Sequence, residues 1–167
     1  MSTCTELERQ NPHKRFIHLE VGQPNFTTPP HIIEATYKAL QDGSTKYVPN
    51  NGIYSLREAI AEKYSSLHIP TSADQVVVTV GSSLSLFSLI AAIMQPGDEC
   101  LVPLPGFPNY QSALSIMRAV SVPYLCASSN KYLPTLDIIQ KQVTSRTKCI
   151  IICNPGSSQV SIHHFKA

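Results

Sequence analysis

Four short segments limit what this chain can fold into: QVVVTV (75–80), ECLVPL (99–104), VSVPYL (120–125) and CIIIC (149–153). Each has strand length and is dominated by β-branched or aliphatic residues. With so little polar alternation they read as strands buried on both faces, as in a sheet covered by helices. Helical stretches separate them: SSLSLFSLIAAIM, PNYQSALSIMRA and TLDIIQKQV. Strand–helix alternation at this spacing predicts right-handed crossovers and a mostly parallel sheet, an α/β fold.

Two more helices are predicted upstream. In TTPPHIIEATYKALQDG, Thr28 is placed to cap a helix with Pro29 at its first position. Ile32, Ile33, Thr36, Tyr37 and Leu40 fall on one face, and Gly43 is the stop. In SLREAIAEKYSSL, Leu56, Ile60, Tyr64 and Leu67 recur at helical spacing, and Ser55 and Glu58 have capping-box spacing. Residues 1–15 are polar and read as an arm or loose terminus.

The 167 residues suit one domain with a real core. At 43% apolar and 14% charged the chain is not of the disordered class. A net charge of +2, with no basic cluster, gives no pull toward nucleic acid or anionic lipid. The first residues lack a signal-peptide core, and LFSLIAAIM is too short to span a bilayer. Five cysteines, an odd number without framework spacing, fit reduced thiols and a cytoplasmic setting.

In open α/β sheets ligands bind beyond the carboxyl ends of the strands. That rule selects Gly81-Ser82-Ser83, Pro105-Gly106-Phe107-Pro108 and Asn154-Pro155-Gly156. The first loop joins a strand to a helix. Small residues, two hydroxyls and the helix dipole there suit a phosphate, although a tight turn with a serine cap has the same letters. Phe107, held between prolines, is placed to stack on a flat ligand or simply to pack. No G-x-G-x-x-G or Walker pattern occurs.

Cys149 and Cys153, with His163 and His164 nearby, match no common zinc spacing and read as core thiols. His13, His18, His31 and His68 have no partner pattern of a hydrolytic triad. Asp98 and Glu99 read as solvated turn charges rather than a catalytic pair.

Taken together, GQPNFTTPPHI, TKYVPNNGIYSLREAIAEKY, VVVTVGSSLSLF, QPGDECLVPLPGFPNY and SRTKCIIICNPG resemble, in order and spacing, the fold-type-I pyridoxal-phosphate aminotransferases of class I/II. The resemblance covers about residues 16–156. PGFPNY is similar to the tyrosine branch and NPG to the alanine branch, so the amino-acid substrate stays open. The resemblance implies an incomplete three-layer large domain with a mostly parallel sheet, amino transfer to a 2-oxo acid, and a homodimer. It also implies that Ser82 and Ser83 hold the phosphate of pyridoxal 5'-phosphate and that Phe107 stacks on its ring. Tyr47 would reach the phosphate in the other subunit, and Gly22 would lie near the substrate carboxylate.

The family's Schiff-base lysine, its pyridinium carboxylate and its substrate arginine come from later strands. Its Asn-Pro-Thr-Gly motif is not matched either, since Ser157 stands at the asparagine. Lys148, at the amino end of a strand, and Lys166, in the tail, are no substitutes. The division expected is an N-terminal arm at 1–20, the N-terminal part of an aminotransferase domain at 21–156, and a divergent tail at 157–167. The chain reads as a truncated family member, inactive by itself. Two alternatives are a non-enzymatic fragment that binds an intact aminotransferase subunit and an unrelated α/β nucleotide-binding module.

Overall fold

The computed structural model describes residues 2–18 and 22–156. Met1–Tyr47 and Val48–Ala167 are two compact units.

In the first unit, helix α1 (Ser2–Gln10) forms where the sequence predicts a loose arm. It is polar, and its support is local: Glu6 accepts from Arg9 at 3.1 Å and from Gln10 at 2.8 Å. Helix α2 (Pro30–Gln41) starts one residue later than expected, with Pro30 at its first position and Pro29, not Thr28, before it. Its apolar face is formed as predicted, but Ile32, Ile33, Tyr37 and Leu40 are all exposed.

The second unit opens with helix α3 (Tyr54–Ser66). Ile53, not Ser55, precedes its first turn. Buried Arg57 fixes the helix to the turn Ala73–Gln75, donating from Nη1 to the Ala73 carbonyl at 2.7 Å. The capping arrangement lies in this turn, where the Gln75 side chain accepts from the Ser72 N–H at 2.8 Å.

Helix α4 (Gly81–Ile93), strand β1 (Glu99–Leu104), helix α5 (Asn109–Ile116), strand β2 (Val120–Leu125), helix α6 (Leu136–Gln142) and strand β3 (Thr147–Ile150) follow. The sheet is parallel, with order β2-β1-β3. Passing first to one side of β1 and then to the other with crossovers of one hand puts the connecting helices on opposite faces. On one face Cys100 and Val102 pack with Ile90 and Met94 of the α4 end and with Tyr110, Ala113 and Leu114 of α5. On the other, Leu101 packs with Tyr124 and Cys126, and Ile138 and Ile139 of α6 cover them. The partial three-layer α/β sandwich is therefore present.

Two readings need correction. QVVVTV forms no strand: among the described residues 76–80 pair with no other strand, and Val77 and Val80 are 65% and 90% exposed. Glu99 is not a solvated turn charge. It is 3% exposed and opens β1. Thr144 Oγ1 donates to it at 2.5 Å and Arg146 Nη2 pairs with it at 2.6 Å. The Thr144 hydrogen bond, helped by Arg146, outweighs desolvation and holds the carboxyl below its ordinary range. The tail 157–167 lies outside the described residues.

Candidate functional site

Parallel β1 and β3 send their carboxyl ends the same way, so the loop 105–108 and the turn 154–156 leave one edge of the sheet. α4 packs on the same face as α5, which brings its N-terminus toward that edge.

At that terminus the chain turns through Gly81 at φ +76°, a conformation that disfavours any side chain. No side chain caps α4. Thr79 Oγ1 bonds to Ser85 Oγ and donates to the Gly81 carbonyl at 3.0 Å, fixing the turn from below. The first amides of the helix, with exposed Ser82 and Ser83, thus form a donor-rich cup of positive dipole.

The second loop is held by close backbone approach. A Cβ on Gly106 would meet the Pro103 carbonyl oxygen at 2.4 Å. The turn that results carries Phe107, half-buried, its ring edge-to-face with Tyr110 at 5.6 Å between centroids. A hollow of about 180 Å³ lies beside this loop, lined by Val102, Leu104, Phe107 and Tyr110 among others. Burial first, and then Cys153, push the Tyr110 phenol up to about 12, so it remains neutral. Burial likewise raises the Tyr124 phenol, which donates to the Ile151 carbonyl at 2.7 Å.

Asn109 joins the two loops. Its Nδ2 donates to Ser83 Oγ at 3.4 Å. Ser83 accepts there, which leaves its own hydrogen for another acceptor. Sequence reasoning missed Asn109; its signal is an amide side chain at the first helical position after Pro108.

Gly22 and Tyr47 belong to the first unit. Gly22 is exposed, with nothing within 4 Å of where a Cβ would stand, and the Tyr47 ring is fully exposed. Asn154 and Gly156 sit at the third loop, where Cys153 Sγ donates to the Pro155 carbonyl at 3.3 Å. Lys148 lies in β3, at the amino side of the sheet. A hollow of about 570 Å³ lies between 48–56 and 77–88, with Val80 and Leu84 on either side of the 81–83 loop in its wall. Its lining is mainly aliphatic, with Asn50, Thr79 and Ser88 as the polar members.

The fold and the sequence agree with known proteins. The family model for aminotransferase class I and II matches residues 14–159. The aspartate/prephenate aminotransferase of Thermus thermophilus is 33% identical over 159 residues, 95% of this chain and 41% of that one. A (5-formylfuran-3-yl)methyl phosphate transaminase of Methanocaldococcus jannaschii is 36% identical over 161 residues, covering 94% and 40%. Among solved structures, an alanine aminotransferase from Pyrococcus furiosus superposes with TM-score 0.89 at 31% identity, over 95% of this chain and 41% of that chain.

The chain belongs to the class I and II aminotransferases, the fold-type-I pyridoxal-phosphate group, and carries the N-terminal portion of that fold. It spans about two fifths of the length of these relatives.

Proposed function

We propose that residues 81–83 and 107 are the phosphate and ring contacts of a pyridoxal 5'-phosphate pocket. The observation that carries this reading is the Asn109–Ser83 hydrogen bond, which draws the two loops together. The donor set fits the group: uncapped helix amides and two hydroxyls for a phosphate, and an aromatic ring for a planar pyridine. When bound, the cofactor supplies an aldehyde for exchanging amino groups between an amino acid and a 2-oxo acid. The amides at the start of α4 and the Ser82 and Ser83 hydroxyls donate to the phosphate. Asn109 turns the Ser83 hydroxyl toward it, and Phe107 fixes the plane of the ring and keeps water from one face.

Gly22 is assigned to the substrate carboxylate. Tyr47 is assigned to the phosphate held by a second copy, so the working unit is a homodimer. A cytoplasmic setting fits five cysteines that are all free. The low charge, +2, argues against a nucleic-acid partner.

The 167-residue chain alone is proposed to hold the cofactor without a covalent bond and to transfer no amino group. No lysine occurs between Lys63 and Lys131, the stretch that contains both loops. The test is titration of the purified chain with pyridoxal 5'-phosphate, followed by borohydride and peptide mapping. Saturable binding that inorganic phosphate competes, with no lysine labelled, is expected. Ser83→Asp should weaken it about tenfold, ~1.4 kcal/mol, by setting a carboxylate against the phosphate. Trapping on one defined lysine overturns the inactivity, and binding indifferent to Ser83→Asp overturns the site.

A second reading, a fragment that binds an intact aminotransferase subunit, is favoured by exposed Ile33, Tyr37, Val80 and Ile152. Co-expression with a full-length relative, followed by sizing and activity, separates the two.

A further inference from the structure

Two thiols meet inside the sheet. Cys100 of β1 and Cys149 of β3 are opposite each other in the parallel pairing, and their Sγ atoms are 3.1 Å apart. Cys149 Sγ also lies 3.6 Å from Met94 Sδ. Cys100 is wholly buried and Cys149 half-buried, so a reagent from solvent reaches Cys149 first.

Neighbouring strands sit about 4.8 Å apart, within the Cα range that a disulfide spans, about 4.4–6.8 Å. Closing the bond therefore needs side-chain rotation and little backbone movement. The same spacing disfavours a metal ion between the sulfurs: two thiolates on a tetrahedral zinc would stand roughly 3.8 Å apart. Cys126 packs on the opposite face of the sheet, so it cannot compete for Cys100. Cys153, four residues beyond Cys149, is the rival that must be tested.

We propose that Cys100 and Cys149 are a peroxide-reactive dithiol that closes to a reversible cross-strand disulfide. The Cys149 thiolate attacks one peroxide oxygen, the O–O bond breaks, and water leaves after protonation, giving a sulfenic acid on Cys149. The Cys100 sulfur then attacks the Cys149 sulfur, the S–O bond breaks and a second water leaves. Two thiols and one hydrogen peroxide become one disulfide and two waters. The sulfurs lose two electrons and the peroxide gains them. A small thiol reductant reopens the bond by exchange at Cys149, the accessible sulfur. Burial, and then the neighbouring Cys149, push the Cys100 thiol up to about 12, so Cys100 is not the sulfur that meets peroxide first; its place in the second step comes from its contact with Cys149. The bond would tie β1 to β3 near the amino end of β1, at the opposite end of that strand from the loop 105–108.

The test uses the reduced full chain and one equivalent of hydrogen peroxide, then alkylation and non-reducing peptide mapping. The protein should lose two of its five free thiols and roughly 2 Da, with one linked pair, 100–149, reversed by dithiothreitol. In urea the same treatment should give a mixture of links. Cys100→Ser should leave a sulfenic acid on Cys149 that dimedone traps. Cys149→Ala should leave Cys100 reduced. A 149–153 link, a link between chains, or a Cys149 sulfenic acid that persists in the wild-type chain overturns the proposal. So does oxidation of Cys4 with Cys149 untouched. None of these readouts involves cofactor binding.

Discussion

Residues 75–80 and 99–104 are both six-residue apolar segments, yet they end in opposite states. ECLVPL becomes β1, with β2 on one edge, β3 on the other and helices on both faces. QVVVTV has the stronger β-branched character but stays an unpaired, half-exposed connection. Among the described residues its amides reach beyond the local turn once, from Val78 to the Asn51 carbonyl at 3.1 Å. Propensity for strand is a propensity to fit a paired and covered surface. Where no partner strand lies alongside, the same letters give no ladder. The most severe test is Leu101→Ala. Leu101 is 2% exposed, so the cavity should cost about 2–5 kcal/mol in urea unfolding. A cost below ~1 kcal/mol would mean that the centre of the sheet is no better packed than 75–80.

The loose segment does have one tight fixture. Gly52 sits at φ +98°, and a Cβ there would meet Val78 Cβ at 2.8 Å. Gly52→Ala should therefore cost about 1–3 kcal/mol, from strain and from pushing Val78 aside. Hydrogen exchange should show the Val78 amide losing protection while amides of β1 keep theirs. If both lose protection together, the two segments form one cooperative unit and the contrast fails.

β1 is fastened at its start by Glu99, and that fastening depends on pH. The folded carboxyl holds its charge below the ordinary glutamate range, chiefly through Thr144, with Arg146 adding to it. Unfolding in acid then takes up a proton, so this contribution is complete above about pH 4.3 and fades as pH falls through the folded pKa. The urea midpoint of the wild-type chain should fall over that acid range, and Glu99→Gln should flatten the fall. Equal slopes for the two proteins would remove Glu99 from the account.

How much of this was legible in the letters depends on whether the cause is local. The bounds of ECLVPL match β1 because Pro96-Gly97-Asp98 and Pro105-Gly106 punctuate it, and VSVPYL matches β2 over its whole length. CIIIC was shifted: β3 is Thr147–Ile150, starting earlier and ending sooner, since the register with β1 decides it. α1 was missed because its support is a set of polar side-chain bonds, not an apolar stripe. Glu99 was misjudged because Arg146 and Thr144 lie some forty-five residues away. At the candidate site, Ser82, Ser83 and Phe107 could be singled out by loop position alone. Asn109 bonding to Ser83, and Cys100 meeting Cys149, come from long-range packing that no single stretch encodes.

The smallest effect is also the cleanest form of the comparison, because one substitution can be made in both segments. Val102 is 2% exposed and Val80 90%. Val102→Ala should cost about 1.5–3 kcal/mol, the worth of a buried aliphatic side chain. Val80→Ala removes the same two methyl groups from a side chain already in water, and should stay within ~0.5 kcal/mol. Val80 directly precedes Gly81, so the pair also tests whether the turn into α4 is held by its backbone and Thr79 rather than by packing. A larger loss at Val80 would show that 76–80 is covered in solution by something that these residues do not supply. Adding an excess of a full-length aminotransferase relative would then be expected to enlarge the difference between the wild-type chain and Val80→Ala, and to leave the Val102→Ala difference where it was.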